Sequence, residues 1–267
     1  MGEKAIVFLG GGRITCAIAA GLRLAGYKNE IVVYDRNPVK VRALRRESRV
    51  SIARDLKSAV ARARILILAV RPGSVAGILD EVAACGASLP KLCVSLAAGI
   101  PLRKLRSLEA SVHWARAMPS PVCRVGRGLT ALSFEPACTS SERRSVQELF
   151  ARVGMVTEIQ ESRFDAFTAV YSSSHGYHAL AALAKAGQDA GLDRATSLTV
   201  AAHALADGIG YWRESRKRLP DLLHEAATPG GIAAATMSAM EKGGYSRAVS
   251  KGIQEGIQQA RRNTRAR

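Results

Sequence analysis

Two closely spaced glycines near the start of the chain have the spacing of a phosphate-binding turn. Gly10 and Gly12 follow a short apolar run and precede an amphipathic stretch, which predicts a strand, a tight turn and a helix. Gly10 permits the tight turn, and Gly12 allows backbone N–H groups at the start of the helix to approach a pyrophosphate. Thr15 stands where a third glycine is usual, so the fingerprint is incomplete. The pattern predicts a dinucleotide site at this turn.

A carboxylate at the end of the next predicted strand fits the same site. Asp35 follows Thr15 by about 20 residues, the separation at which an acidic side chain binds the ribose of the cofactor. Asp35 favours a free 2′-hydroxyl and therefore NAD(H). Arg36, directly after it, could bind a 2′-phosphate and therefore favours NADP(H). The choice between NADP(H) and NAD(H) stays open.

Strands and helices alternate through the first part of the chain. Strands are predicted over residues 4–9, 30–35, 65–70, 92–95, 111–117, 129–134 and 154–159, and helices over 12–25, 37–46 and 141–152. The run over 65–70 is apolar throughout, which is typical of a parallel strand buried on both faces. This order predicts an α/β fold with a doubly wound parallel sheet.

The sequence changes character after Glu161. Strand patterns fade, and Ala-rich helical periodicity dominates from Phe164 onward, interrupted by Pro220 and Pro229. We therefore predict two domains, a dinucleotide-binding domain over residues 1–160 and an all-helical domain over residues 161–267.

Composition weighs against several function classes. The chain has 267 residues with 39 Lys+Arg and 22 Asp+Glu, a net charge of +17, but its basic residues are interspersed with acidic ones and no nucleic-acid-binding motif is present. The apolar run at the N-terminus is too short to span a membrane. Five widely spaced cysteines favour a reducing cytoplasm over a disulfide framework. His175 and His178 lack further ligands, so we predict no metal site and neither a nucleic-acid nor a membrane partner.

Several segments, in order, resemble the pyrroline-5-carboxylate reductase family. The glycine turn with Arg13 and Ile14 is similar to that family's GxGNM turn. The other similar segments are AVRP at 69–72, VSLAAGI at 94–100, RAMPSP at 116–121 and ATPGGIAAATMSAMEKGGYSRAV at 227–249. The resemblance extends over about residues 4–258.

The resemblance implies a Rossmann domain followed by an all-helical dimerisation domain, in a homodimer or a larger homo-oligomer. The implied reaction is hydride transfer from NADPH or NADH to the carbon of a cyclic imine, with 1-pyrroline-5-carboxylate giving proline. The implied cofactor-binding residues are Gly10, Gly12, Arg13, Ile14, Asp35, Arg36, Ala69, Val70, Arg71, Pro72, Ala97, Met118 and Pro119. The implied substrate-binding residues are Ser174, Gly230, Gly231, Ile232 and Ala233.

The substrate segments depart from the family pattern. The family's GGTT ends here in Ile232 and Ala233, and Ala233 lacks the hydroxyl that in the family can hydrogen-bond the imine nitrogen. The family's SGSGPAY reads YSSSHGY at 171–177, which keeps Ser173 in register and places His175 where the family has proline. These changes fit either drift with unchanged activity or an altered imine substrate.

We hypothesise that His175 or Tyr171 supplies the missing donor, beside the retained Ser173. An imidazole can serve as an acid near neutral pH. The alternative is that His175 only caps or packs at the start of a helix.

Two other functions fit parts of the sequence. A β-hydroxyacid-type dehydrogenase shares the layout, but Lys185 stands two to three turns later than that family's catalytic lysine. A non-catalytic, cofactor-binding regulatory protein is the second alternative, since the threonine hydroxyls are absent.

Overall fold

The computed structural model describes residues 5–265, so the outermost residues of both predicted domains lie outside the described part. The strands are β1 Ala5–Leu9, β2 Ile31–Tyr34, β3 Ser51–Ile52, β4 Ala63–Leu68, β5 Leu92–Ser95, β6 His113–Met118, β7 Gly128–Phe134 and β8 Gly154–Glu158. The helices are α1 Arg13–Leu24, α2 Pro38–Ser48, α3 Leu56–Ala61, α4 Val75–Ala84, α5 Leu102–Leu108, α6 Ser140–Ala151, α7 Phe164–Val170, α8 Ser173–Asp189, α9 Arg194–Ser215, α10 Leu219–Ala226, α11 Ile232–Lys242 and α12 Tyr245–Arg265.

The eight strands form one sheet in the order β3-β2-β1-β4-β5-β6-β7-β8. Strands β1 to β6 are parallel, which confirms the doubly wound fold and places the reversal of strand order between β1 and β4. The sheet is mostly rather than entirely parallel, because β7 runs antiparallel to β6 and β8 follows β7. The connection over residues 119–127 is shorter than the dozen or so residues that a parallel crossover requires.

The central strands are buried on both faces. Alternate residues of β1 enter different apolar layers, with Ile6 and Phe8 in the layer that includes α1 and Val7 and Leu9 in the other. All four side chains are at most 1% exposed. The continuous apolar runs of the sequence therefore correspond to strands covered by helices on both sides.

The described chain forms two compact units. The nucleotide unit runs to Tyr171 and also includes the chain from Glu255 onward, and the helical unit is Ser172–Gln254. The predicted boundary at residue 160 follows the change from strands to helices along the sequence. Helical periodicity contains no information about the body against which a helix packs, so it could not place the end of α12 in the nucleotide unit.

The helical unit buries few of its own side chains. Helices α8 and α9 approach closely where a Cβ at Gly187 would lie 3.2 Å from the hydroxyl of Ser197. Many large apolar side chains of this unit are exposed: Tyr177, Leu183, Leu192, Leu198, Val200, Ile209, Tyr211, Trp212, Leu219, Leu223, Ile232, Met240, Tyr245 and Val249. Exposed apolar surface of this extent is typical of a protein that associates with another copy or partner.

A capping box begins helix α6 and gives a test of acid stability. Thr139 Oγ1 accepts a hydrogen bond from the N–H of Glu142, and the Glu142 carboxylate accepts one from the N–H of Thr139 at 2.8 Å. His113 Nδ1 lies 2.8 Å from the same carboxylate. Burial by itself would raise the pKa of Glu142, but the hydrogen bonds from Thr139 and His113 hold that pKa below its ordinary value.

We expect Glu142→Ala to lower the free energy of unfolding by about 1 kcal/mol at neutral pH. Because the folded-state pKa is lowered, this contribution is fully present above the ordinary Glu range and is lost as the pH falls through the lowered folded-state pKa. Urea unfolding at several pH values measures it, and Glu148→Ala, at an exposed position of the same helix, is the control. An equal Glu142→Ala effect at neutral and acid pH would contradict this account.

Candidate cofactor and substrate sites

The turn after β1 is closed by backbone contacts that only glycine permits. Gly10 has a φ of +113°, and its N–H donates to the carbonyl of Tyr34 at 2.8 Å. A Cβ at this position would lie 2.5 Å from the carbonyl oxygen of Ala69. Both the conformation and the packing against the end of β4 therefore require glycine here.

Gly12 faces open space instead. It precedes α1 with extended backbone angles, and a Cβ built on it would meet no atom within 4 Å. No side chain caps the first turn of α1, so its N-terminal N–H groups are available to an anion. This cradle fits the pyrophosphate of a dinucleotide.

Thr15 occupies the position of the missing third glycine and stabilises the turn from there. Its side chain is fully buried, and its hydroxyl donates to the carbonyl of Gly10 at 2.6 Å. The residue therefore holds the turn closed from inside the first helical turn.

Asp35 braces the glycine turn from the end of β2. One carboxylate oxygen accepts the N–H of Gly11 at 2.8 Å, and the other accepts the N–H of Asn37 at 2.8 Å. Each oxygen retains capacity for a second donor, such as a ribose hydroxyl. The sequence predicted only the ribose contact, which stays a prediction, and did not reveal these two backbone partners.

A cleft with a volume of about 450 Å³ opens at the carboxyl ends of β1, β2 and β4. The structure brings together here the predicted residues Gly10, Gly12, Arg13, Asp35, Arg36, Ala69, Val70 and Arg71. Sequence reasoning missed four further lining residues, Tyr34, Lys40, Ser74 and Ile78. Lys40 is in the first turn of α2, four residues after Arg36, a spacing that could have been noticed. Only the tertiary fold brings Ile78 of α4 to the same cleft.

The cleft is electropositive. Arg13, Arg36, Lys40 and Arg71 line it, against the single carboxylate of Asp35. Arg36 also pairs with Glu81 at 3.1 Å, but these side chains are 70% and 41% exposed, so the pair contributes little to stability. Such a lining suits a ligand with more than one phosphate.

The remaining predicted cofactor residues lie outside this cleft. Ile14 is in the first turn of α1, and Pro72 begins a short 3₁₀ turn after β4. Ala97 is buried in the loop after β5, while Met118 ends β6 and Pro119 follows it. Because β4, β5 and β6 are adjacent and parallel, their carboxyl ends form one continuous rim with the glycine turn.

The predicted residues of the helical unit lie at the starts of two helices. Ser172 precedes α8, and its hydroxyl accepts the N–H of Ser174 at 3.3 Å and lies 2.7 Å from that residue's hydroxyl. Ser173 and His175 are in the first turn, and His175 is exposed. The Ser172 hydroxyl therefore serves as the N-cap of α8.

Helix α11 begins at the second predicted substrate segment. Gly230 has a φ of +78°, and the N–H of Gly231 donates to the carbonyl of Thr228 at 2.8 Å. No side chain caps α11, and Ile232 is 88% exposed beside an exposed Ala233. The first N–H groups of this helix are thus available to bind a carboxylate.

Tyr171 lies in the nucleotide unit at the end of α7. Its hydroxyl accepts a hydrogen bond from the N–H of Leu129 at 2.7 Å, and its ring centroid is 5.3 Å from that of Phe167. The residue therefore anchors α7 to β7. The hydroxyl keeps its own proton to donate elsewhere.

Comparisons with known proteins agree across the chain. The family model "Pyrroline-5-carboxylate reductase dimerisation" matches residues 161–263, and "NADP oxidoreductase coenzyme F420-dependent" matches residues 5–99. The pyrroline-5-carboxylate reductase of Mycobacterium tuberculosis is 31% identical over 279 residues, covering 95% of this chain and 94% of the relative. The chain belongs to the pyrroline-5-carboxylate reductase family.

Other members of the family give the same result. The enzyme of Pisum sativum is 28% identical over 242 residues, covering 89% of this chain and 88% of that protein. A crystal structure of the Plasmodium falciparum pyrroline carboxylate reductase with NADP bound superposes with a TM-score of 0.87 at 20% identity, covering 99% of each chain. That structural likeness shows the fold.

Family membership identifies the chain as an NAD(P)H-dependent oxidoreductase that acts on CH–NH groups, which confirms the predicted reaction class. The β-hydroxyacid alternative is not favoured, and Lys185 forms an ion pair with Asp189 along the exposed face of α8. The dimerisation region supports homo-oligomerisation.

Two further findings concern other chemistry. Within residues 5–265 there is no group of at least three His, Cys, Asp or Glu side chains that could hold a metal ion. No helix in this range is long and apolar enough to cross a membrane.

Burial raises the pKa of Cys123 to about 12. Burial, together with Glu47, also raises the pKa of Cys16 beside the cofactor turn, so neither thiol is a ready nucleophile.

Proposed function

We propose that this chain reduces 1-pyrroline-5-carboxylate to proline with NADPH, as a homodimer formed through its helical domain. The observation that carries the proposal is the uncapped, glycine-lined start of α1 at an electropositive cleft, in a chain of this family. The exposed apolar side chains of the helical unit support association, and larger homo-oligomers fit as well. The cytoplasmic location stays a prediction.

The chain's contribution to the reaction is mainly positioning. When bound, the cofactor supplies the hydride that is added to the C=N carbon, and a proton is added to the nitrogen. The N–H groups at the start of α1 hold the pyrophosphate, and the N–H groups at the start of α11 bind the substrate carboxylate. His175 or Tyr171 donates the proton that a threonine at position 233 would otherwise orient.

The basic lining of the cleft favours NADP(H) over NAD(H). Asp35 keeps acceptor capacity for a ribose hydroxyl beside its bonds from Gly11 and Asn37, so it is compatible with either cofactor. Arg36 and Lys40 line the cleft near the end of β2, where a 2′-phosphate of an NADP(H) ligand would lie. Charge-assisted hydrogen bonds to such a phosphate are stronger than those to a hydroxyl.

Steady-state kinetics with two imines and two cofactors test this function. We expect kcat/KM to be highest for 1-pyrroline-5-carboxylate with NADPH and about tenfold or more lower for 1-pyrroline, which lacks the carboxylate, because the α11 N–H groups then bind nothing. Arg36→Ala should reduce kcat/KM with NADPH about tenfold and leave the value with NADH nearly unchanged.

Arg45→Ala, at an exposed position of α2, is the matched control. Equal use of both imines would contradict the proposed substrate. A wild-type preference for NADH would contradict the proposed cofactor. Tight cofactor binding without turnover of any imine would favour the regulatory alternative.

A further inference from the structure

The C-terminal part of α12 packs directly on the loop that follows β5. Gly99, in this loop, has a φ of +77°, and a Cβ there would overlap the carbonyl oxygen of Ala260 on α12. Ala260 is only 6% exposed. One turn later the side-chain amide of Asn263 donates to the carbonyl of Ala98 at 3.4 Å. A left-handed glycine in the loop and a small residue on the helix together allow backbone to approach backbone.

The same stretch of α12 is fixed to the nucleotide unit at a second place. A Cβ at Gly256 would lie 3.2 Å from the Cβ of Ala169 on α7. Gly256 and Ala260 are four residues apart, so they share one face of the helix. This face therefore contacts α7 and the loop at once.

The loop is held at its two ends as well. The N–H of Leu96 donates to the carbonyl of Leu68 on β4 at 2.9 Å. At the other end, the N–H of Leu102 donates to a carboxylate oxygen of Glu161 at 2.6 Å, and the buried Arg116 contacts the same oxygen at 3.2 Å. Within the loop, Ala97 and Ile100 are buried in the apolar core. Ala98 and Gly99, between them, contact α12.

The loop's place in the sheet indicates what it positions. In a doubly wound sheet a dinucleotide lies across the reversal of strand order, here between β1 and β4. With the adenosine half over β1 and β2, the nicotinamide half would lie over β4 and β5, and the loop at 97–100 extends from the end of β5. This step rests on the function proposed above.

We propose that residues 256–263 of α12 are a positioning element that holds the β5 loop against the nicotinamide half of the cofactor. Ala260 and Asn263 act through the loop and are positioning residues. Hydride transfer requires the reacting atoms to be held within about 3–3.5 Å, so a displaced loop slows transfer and weakens nicotinamide binding. The adenosine half, bound at Gly12 and Arg36, is unaffected.

The test compares Ala260→Leu, which pushes the helix from the loop, with Gln258→Leu at an exposed position of the same helix. Affinities are measured for NADPH and for 2′,5′-ADP, which lacks the nicotinamide half. We expect Ala260→Leu to weaken NADPH binding about tenfold with unchanged affinity for 2′,5′-ADP, and to raise the isotope effect with deuterated NADPH. Gln258→Leu should change none of these values.

Asn263→Ala is the milder second variant, since it removes one hydrogen bond without adding volume, and a smaller shift in the same direction is expected. Parallel loss of NADPH and 2′,5′-ADP affinity in Ala260→Leu would overturn the proposal, because it indicates general destabilisation. Unchanged NADPH affinity and isotope effect in both variants would also overturn it. A wild-type protein that binds no NADPH would instead overturn the cofactor assignment.

Discussion

We expect Gly12→Ala to leave the fold intact and to weaken binding of the proposed cofactor NADPH about a hundredfold, equivalent to about 3 kcal/mol. The backbone of Gly12 is in an extended conformation that alanine adopts freely, and the added methyl group meets no protein atom within 4 Å. Gly12 is the N-cap of α1 and lines the cleft, so we expect the added methyl group to occupy space beside the first N–H groups of that helix. It therefore separates the pyrophosphate from those donors and prevents charge-assisted hydrogen bonds.

Fluorescence titration of NADPH and thermal unfolding together measure this effect. Gly10→Ala provides the contrast, since a Cβ there lies 2.5 Å from the Ala69 carbonyl oxygen in a left-handed conformation. That variant should lose stability as well as affinity. If Gly12→Ala binds NADPH as tightly as the wild type, the pyrophosphate does not lie on the start of α1.

His175→Ala is expected to lower kcat for the best imine about a hundredfold, the usual contribution of a general acid. Ala233 has no side-chain donor, so in the proposed mechanism His175 or Tyr171 supplies the proton for the imine nitrogen. We expect a smaller loss for Tyr171→Phe, because the Tyr171 hydroxyl already accepts the N–H of Leu129 and serves as an anchor. Steady-state and single-turnover kinetics separate an effect on chemistry from one on binding.

His178→Ala is the matched control, since His178 is also exposed and lies one turn further along α8. Adding Ala233→Thr to the His175→Ala variant should restore part of kcat by returning a hydroxyl to α11. Wild-type turnover in both His175→Ala and Tyr171→Phe would contradict the proton-donor hypothesis. His175 would then have only a structural role at the start of α8.

Local signals in the chain were sufficient for the nucleotide turn and for the class of fold. Gly10 and Gly12 could be recognised because a tight turn and a helix N-terminus are built from consecutive residues. Asp35 could be recognised because the dinucleotide fingerprint places an acidic residue about 20 positions further along the chain. Apolar periodicity revealed most strands, since burial on both faces leaves a continuous run. It missed β3, whose two residues are too few to form a pattern.

Contacts between segments that are distant in sequence could be identified only from the folded structure. Thr15 interrupts the glycine pattern, yet its hydroxyl closes the turn, because the helix brings it back under Gly10. The sequence predicts only a ribose contact for Asp35, whereas both of its oxygens accept hydrogen bonds from backbone N–H groups. Hydrogen-bond partners depend on which groups lie close together in the folded protein. Residue type and spacing predict this only for residues that are near each other along the chain.

The end of α12 shows most clearly the difference between what the local sequence determines and what the tertiary fold determines. Its helical pattern was evident from the sequence, but the face on which Gly256 and Ala260 lie gives no sign of its partner. Only the fold brings Ala260 onto Gly99, more than half the chain away, where two backbones touch because neither residue has a large side chain. Secondary structure follows from neighbours along the chain, whereas the surface that a helix covers follows from the packing of the whole molecule.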